Sequence, residues 1–380
     1  MQLMQDIRLL IIIISVFLGL SLGLFLLWNK SAKNKANTYL GILVLCITLF
    51  FLPHFFARYG LLERLHYVIG LPRIIPFLFG PLTLLYVRAC TQKGFQMRNI
   101  DWLRFIPAFL MLLNCWPDIT ASVGEKIANQ SFFAKTGQVS DYAWIWLLKV
   151  IHPLIYFGLS VQLIFKYRQH VSNAASFIDT AFHRWLLTFI FILSVPILGL
   201  LLFVFTEFGR FSLMILSMGL MTFLLAIYIA TLVKPTLFHA FPYQMPIPIS
   251  TATKKQKYEN SNLKEAQKEQ YLQKLKSFMH QHKPFQEPEL TLAQLSDKVK
   301  IPTHYLSQVI NEKLEVNFLD FINNYRVKEA QVKLIDPTLS HYTILAIAYE
   351  AGFNSKSTFY AAFKKVTGMT PSQFRKTSFQ

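Results

Sequence analysis

The chain has 380 residues, 53% of them hydrophobic and only 15% charged, with a formal net charge of +18. Soluble globular domains carry about 25% charged residues, so the composition argues against a chain bathed in water throughout and for an intramembrane portion. The charge is also uneven: sparse between long apolar runs from Met1 to Thr253, dense, mixed and basic in surplus from Lys254 to Gln380. Two domains in two solvents are expected, the second suited to an anionic partner.

Seven apolar segments come first: Leu9–Trp28, Tyr39–Phe56, Leu65–Val87, Trp102–Trp116, Trp144–Phe165, Trp185–Phe205 and Phe211–Val233. All but the short fourth have the length that crosses about 30 Å of hydrocarbon. The first is followed by Lys30, Lys33 and Lys35 without a small-x-small cleavage site, so it reads as a retained span. Trp28, Trp102, Trp116, Trp144 and Trp185 lie near segment ends, as in an aromatic belt at headgroup depth. Basic residues gather in alternate loops: after segment one, after segment three (Arg88, Lys93, Arg98, Arg104), after segment five (Lys166, Arg168, Arg184) and after segment seven (Lys234). The positive-inside rule then puts the N-terminus outside and the C-terminus in the cytoplasm, which requires an odd number of spans. The polar loop Pro117–Tyr142 would lie outside.

Cys46, Cys90 and Cys115 lie in or beside apolar runs without metal or redox spacing, and read as small core hydrophobes. Within the spans the costly side chains are Arg73, Lys149, His152 and, near the outer interface, His54, because a charge near mid-bilayer costs about 2.5 kcal/mol or more. Lys149 and His152, three apart, share a helix face. Arg73 stands between Pro72 and Pro76 in a segment expected to kink. Arg73, Lys149 and His152 are candidates for a ligand- or proton-sensing site inside the bundle; the alternative is structural pairing.

Phe241–Thr253 carries three prolines and reads as a linker. Helical spacing of Tyr271, Leu272, Leu275, Phe278 and Met279 then predicts an amphipathic helix over Gln267–His280. Thr291 and Gln294 form a capping box at the start of the next helix, with Leu292, Leu295 and Val299 facing inward. Lys300–Pro302 breaks that helix and Thr303 begins another. There Leu306, Val309 and Ile310 make the inner stripe and leave Thr303, His304, Ser307, Gln308 and Asn311 on an outer face. Hydrogen-bonding side chains on an exposed helix face are what base readout in the major groove needs. Asn317–Ile335 is a long helix closed by Asp336-Pro337, and after it the arrangement repeats. Ile344, Ile347, Ala348 and Ala351 form a stripe, and Gly352 suits a left-handed helix end. Asn354 or Ser355 caps a helix with Phe359, Ala362, Phe363 and Val366 inward and Lys356, Ser357 and Tyr360 outward. A connector of about 28 Å is comparable to one DNA turn of about 34 Å and could hold two reading helices in successive major grooves.

The strings LTLAQLSDKVKIPTHYLSQVIN, NFLDFINNYRVKEAQ, ILAIAYEAGFNSKSTFYAAFKK and GMTPSQFR, in that order, make Leu290–Arg375 resemble the C-terminal domain of the AraC/XylS family of bacterial transcription regulators. The resemblance implies a seven-helix domain in which two helix-turn-helix units share one long helix. It implies base or phosphate contacts by His304, Ser307 and Gln308 in the first unit and by Lys356, Ser357 and Tyr360 in the second. Arg326, Lys364, Lys365 and Arg375 would serve phosphates or packing. Ala361 departs from the pattern, since family members often carry Arg there; the second unit is therefore expected to contribute mostly backbone affinity. The N-terminal half resembles, in architecture only, the multi-span sensor segments fused to such regulators.

No HExxH, GxSxG, P-loop or paired-cysteine pattern occurs, so neither catalysis nor a cofactor or metal is expected. The fold class expected is all-α: a seven-helix transmembrane bundle (1–240), a cytoplasmic linker (241–266) and an all-α DNA-binding domain (267–380). The function expected is a membrane-embedded transcription regulator whose partners are double-stranded DNA, the lipid bilayer, a signal ligand, RNA polymerase and a second copy in a homodimer. The competing class is a multi-span carrier or receptor with a regulatory tail; a carrier would be favoured by an internal repeat, and none is visible.

Overall fold

In the computed structural model the described residues are 2–28, 34–58, 71–92, 94–120, 124, 143–176, 180–205, 219–230 and 263–378. Among them the chain is helical, without a named strand; one isolated antiparallel bridge pairs Ala175 with Thr291. The chain divides into two compact units, one of Met1–Phe165 with Ala181–Ile247, the other of Lys166–Thr180 with Pro248–Gln380. The short segment Lys166–Thr180, which the sequence groups with the apolar half, thus belongs to the second unit. The linker Phe241–Thr253 and most of the loop Pro117–Tyr142 lie outside the described residues.

The first unit contains α1 (Gln2–Trp28), α2 (Lys35–Arg58), α3 (Leu71–Ile74), α4 (Pro76–Thr91), α5 (Asn99–Trp102), α6 (Ile106–Thr120), the body of α7 (Ala143–Ala174), α8 (Thr180–Phe205) and α9 (Gly219–Ala230). The third apolar segment divides at Ile75, because Pro76 has no N–H to continue the ladder and opens α4 instead. The fourth is likewise divided, into α5, a 3-10 turn over Leu103–Phe105, and α6. One described helix, Trp144–Ala174, is long and apolar enough to cross a membrane. Ile13–Trp28, Lys35–Phe50, Phe182–Leu198 and Gly219–Ala230 are shorter apolar stretches.

Helices α1 and α2 pack through small residues: a Cβ on Gly23 would meet the Leu45 side chain at 2.6 Å, and one on Gly41 would meet Leu27 at 3.0 Å. Such close backbone approach is the device that holds helices together where lipid removes the hydrophobic drive between them. Large apolar side chains also face outward. On α7, Leu148, Ile151, Ile155 and Leu159 form an exposed stripe at helical spacing; Leu10, Phe17, Leu20 and Leu24 do so on α1. After α4, the fully buried Asp101 carboxylate accepts from Arg88 Nη1 at 2.6 Å, from the Arg98 backbone N–H at 2.9 Å, and from Arg104.

The second unit holds α10 (Glu265–His282), α11 (Leu292–Val299), α12 (Thr303–Lys313), α13 (Phe318–Ile335), α14 (Ile344–Glu350), α15 (Lys356–Thr367) and α16 (Pro371–Ser378). Its core is in two parts joined by α13. Phe318, Phe321 and Ile322 of α13 pack with Leu275, Met279, Leu295, Leu306 and Ile310. Val327, Ala330 and Leu334 of the same helix pack with Ile347, Ala348, Phe353, Phe359 and Phe363. Each of these Val, Leu, Ile, Phe and Met side chains contributes about 1.5–3 kcal/mol by burial, so α13 is stabilised from both ends. Its Asn317 cap accepts from the Asp320 N–H at 2.8 Å, and at about 1.5 Å per residue it spans about 27 Å.

Candidate nucleic-acid interface

Two helix pairs stand on α13. In the first, the capping box forms as the sequence implies: Gln294 N–H donates to Thr291 Oγ1 at 3.2 Å and the Thr291 N–H to Gln294 Oε1 at 2.8 Å. Lys300 then adopts φ 54°, a left-handed helix end, and Pro302 leads into α12. The turn is locked by a residue with no sequence signature. Buried Ser296 donates from Oγ to the Ile301 carbonyl at 2.6 Å, and Thr303 Oγ1 donates to Ser296 Oγ at 2.9 Å. In the second pair, Gly352 takes φ 96° after α14 and the Ser355 hydroxyl accepts from the Thr358 N–H to cap α15.

The expected reading residues of α12 do not all lie on its surface. Thr303 and His304 are exposed, with the His304 ring 3.9 Å centroid to centroid from Tyr305. Ser307 and Asn311 are half-buried, and Asn311 Nδ2 donates back to the Ser307 carbonyl at 2.7 Å. Gln308, expected on the outer face, is only 3% exposed. Its amide donates to the Glu312 carboxylate at 3.1 Å, and Glu312 is held in turn by Lys268 at 2.8 Å. One turn of helix separates Gln308 from Glu312, so their pairing, together with α10, draws the amide away from solvent.

On α15, Lys356, Ser357, Ala361, Lys364 and Lys365 are exposed and Tyr360 is half-buried. Lys356 Nζ stands 5.6 Å from the Tyr360 ring centroid. Lys365 pairs with Asp320 at 2.8 Å, while Val366, expected inward, is exposed because it falls past the buried Ala362–Phe363 edge of the helix. What α15 presents is a row of cations with small polar side chains, a surface fit for a phosphate backbone.

Of the two roles expected for Arg326, phosphate contact or packing, its surroundings fit packing: it is 1% exposed. Its guanidinium donates to the carbonyls of Phe285 (2.7 Å), Ser176 (3.0 Å), Glu287 (2.7 Å) and Pro288 (3.3 Å), and to Ser176 Oγ (3.0 Å). Burial lowers its pKa to about 10, so it keeps its charge at neutral pH. A cation enclosed by its own chain's carbonyls cannot reach a phosphate; its role is packing. Arg375 acts similarly at the C-terminal end, donating to the carbonyls of Tyr342, Leu339 and Ser340.

Of the candidate intramembrane residues, Lys149 is 1% exposed, its ammonium 4.2 Å from the Trp146 ring centroid. The His152 ring lies between Phe77 (5.5 Å) and Tyr156 (5.0 Å), and both its nitrogens are shut from solvent without a hydrogen-bond partner. Arg73 is half-buried in α3, and Phe77 of α4 stands against the His152 ring. Among the described residues no cluster of three metal-binding side chains occurs.

This geometry, two tight-turned helix pairs on one shared helix with exposed cations, defines a helix-turn-helix domain, and residues 295–377 match the family model of that description. Over 91 residues the chain is 34% identical to the melibiose operon regulatory protein of Escherichia coli (strain K12), covering 24% of this chain and 29% of that protein. Over 87 residues it is 37% identical to an uncharacterized HTH-type transcriptional regulator of Staphylococcus aureus (strain MSSA476), covering 23% and 11%. A solved structure of a protein of unknown function from Listeria innocua is similar at 31% sequence identity over 28% of this chain and 95% of that one, with a TM-score of 0.25. The chain thus spans less than a third of the length of the curated relatives it matches.

Proposed function

We propose that the protein is a membrane-embedded transcription regulator that binds promoter DNA through its C-terminal helix-turn-helix domain and receives its signal in the apolar half. The observation that carries the DNA-binding part is the exposed face of α15, where Lys356, Ser357 and Lys364 share one surface within a matched helix-turn-helix domain. Relatives named as regulators match over stretches of 91 and 87 residues. On this reading α12 and α15 enter successive major grooves, His304 and Ser307 reading bases and Lys356, Ser357, Tyr360 and Lys364 contacting bases or phosphates. Activation would follow from contact with RNA polymerase, and symmetric sites from a homodimer.

The membrane part is supported by the span-length helix Trp144–Ala174 and by the outward apolar stripes on α1 and α7, which suit lipid and not water. The cytoplasmic membrane, seven spans, an outer N-terminus and a cytoplasmic C-terminal domain complete the proposal. Lys149 and His152 supply polar groups inside the helix packing where a signal ligand or proton could act, with Arg73 a third candidate. A ligand can drive such a switch only by binding one state better than the other.

The test uses the full chain in detergent or lipid discs with fluorescent duplexes drawn from the genomic sites it occupies in cells. Affinity should fall steeply as salt rises and exceed that for scrambled duplexes. Failure to retain any duplex at low salt would sink the regulator reading. Reporter fusions at Lys33 and Lys254 should both report cytoplasm; opposite sides would refute the span count.

A further inference from the structure

Ala175 and Ser176 follow α7 directly, and both are fully buried in the second unit. They lie against the segment that leads into the first helix pair. Ala175 bridges Thr291, and the Ser176 N–H donates to the Leu290 carbonyl at 3.0 Å. From the other side Arg326 closes on Ser176 through both its carbonyl and its hydroxyl, each at 3.0 Å. The seat is selective. It takes a small side chain at 175 and 176, and it offers a carbonyl acceptor and a guanidinium donor to the chain just after α7. Withdrawing the segment would cost Arg326 two of its acceptors and open a buried cation toward solvent, which is expensive.

Both ends of this contact bear on function. Residues Trp144 to Phe165 of α7 belong to the first unit and are part of the span-length helix; from Lys166 the same helix belongs to the second. At the other end, Thr291 is the N-cap of α11, the opening residue of the first helix-turn-helix unit. We infer that Lys166–Ser176 is a clasp: the segment after α7 seats in a receptor groove formed by Leu290, Thr291 and Arg326, and release or tightening of the clasp regulates the first helix pair. This gives the signal a route separate from the linker Phe241–Thr253. It rests on the proposed reading of the chain as a membrane-held DNA-binding regulator.

The experiment uses full-length protein in native membranes, with Cys46, Cys90 and Cys115 replaced by Ser and the pair Ala175→Cys/Thr291→Cys introduced. Mild oxidation should give an intrachain disulfide in clearly higher yield than the control pair Gln169→Cys/Thr291→Cys, because only paired residues bring their Cβ atoms within bridging distance. Equal yields, or cross-links formed between chains, would overturn the clasp. Ser176→Pro removes the N–H that meets Leu290, and Ser176→Gly removes only the hydroxyl. In either variant, purified full chain should bind duplex DNA as the parent does, while transcription from an occupied promoter shifts by about fivefold or more. Unchanged transcription in both variants would overturn the regulatory role. Absence of DNA binding by the parent chain would instead refute the regulator reading and leave the cross-link result standing.

Discussion

A Cβ placed on Gly352 would lie 2.4 Å from the carbonyl oxygen of Phe285. That oxygen also accepts from Arg326 Nε at 2.7 Å, so the turn of the second helix pair rests on the same backbone that Arg326 grips. Gly352→Ala therefore meets two penalties, a φ of 96° and a backbone clash. Gly368, at φ 79° with open space around it, meets only the first. Gly368→Ala should cost about 1–2 kcal/mol, and Gly352→Ala clearly more. Hydrogen exchange of α14 and α15 in the full chain measures both; equal protection loss would show that the clash relaxes freely.

Arg326→Lys should destabilise the second unit by about 3 kcal/mol or more, since an ammonium cannot satisfy several carbonyls arranged around a planar fork and each orphaned one costs about 1–3 kcal/mol. DNA affinity measured on the fraction that stays folded should change little, because Arg326 is enclosed. A folded variant that loses its salt-dependent affinity would restore Arg326 as a phosphate contact.

Lys364→Ala should weaken binding to all duplexes alike and reduce the salt slope by about 0.9. His304→Ala should instead cost about 1–3 kcal/mol on the preferred site and relax specificity at one position. Titrations at several salt concentrations, on specific and scrambled duplexes, separate the two behaviours.

Glu312→Ala should free the Gln308 amide, now held at 3.1 Å, and unfix the reading face of α12. The expected result is poorer discrimination between duplexes with the salt slope unchanged. Discrimination equal to the parent's would show that Gln308 has no influence on readout.

His152→Phe keeps the ring volume between Phe77 and Tyr156 while removing two nitrogens that bond nothing. DNA binding by the purified chain should be preserved. Signal-dependent transcription should be lost, as read from the promoters the protein occupies. A full response in the variant would remove His152 from the proposed sensing site.

The helical pattern of the C-terminal unit was legible because its rules are local. The capping box at Thr291, the left-handed position at Gly352 and the inner stripe Leu306, Val309 and Ile310 each follow from residues within a turn or two. The outward set on α12 was legible only in part. Gln308 lies in a register that a helical wheel assigns to solvent, but α10 packs beside it, and a neighbouring helix cannot be read from spacing.

By itself the sequence determined the two-part composition, the helix pairs and the apolar runs, since hydrophobic period, capping chemistry and charge density act over short stretches of chain. Only the tertiary structure decided the place of Arg326. Its acceptors at Phe285, Glu287 and Pro288 lie about 40 residues away, and Ser176 lies 150 away. An arginine in a basic domain reads equally as a phosphate contact or a packing residue until long-range packing surrounds it with carbonyls. The burial that withdraws it from DNA also makes it the seat for Ser176, which follows α7 within the second unit.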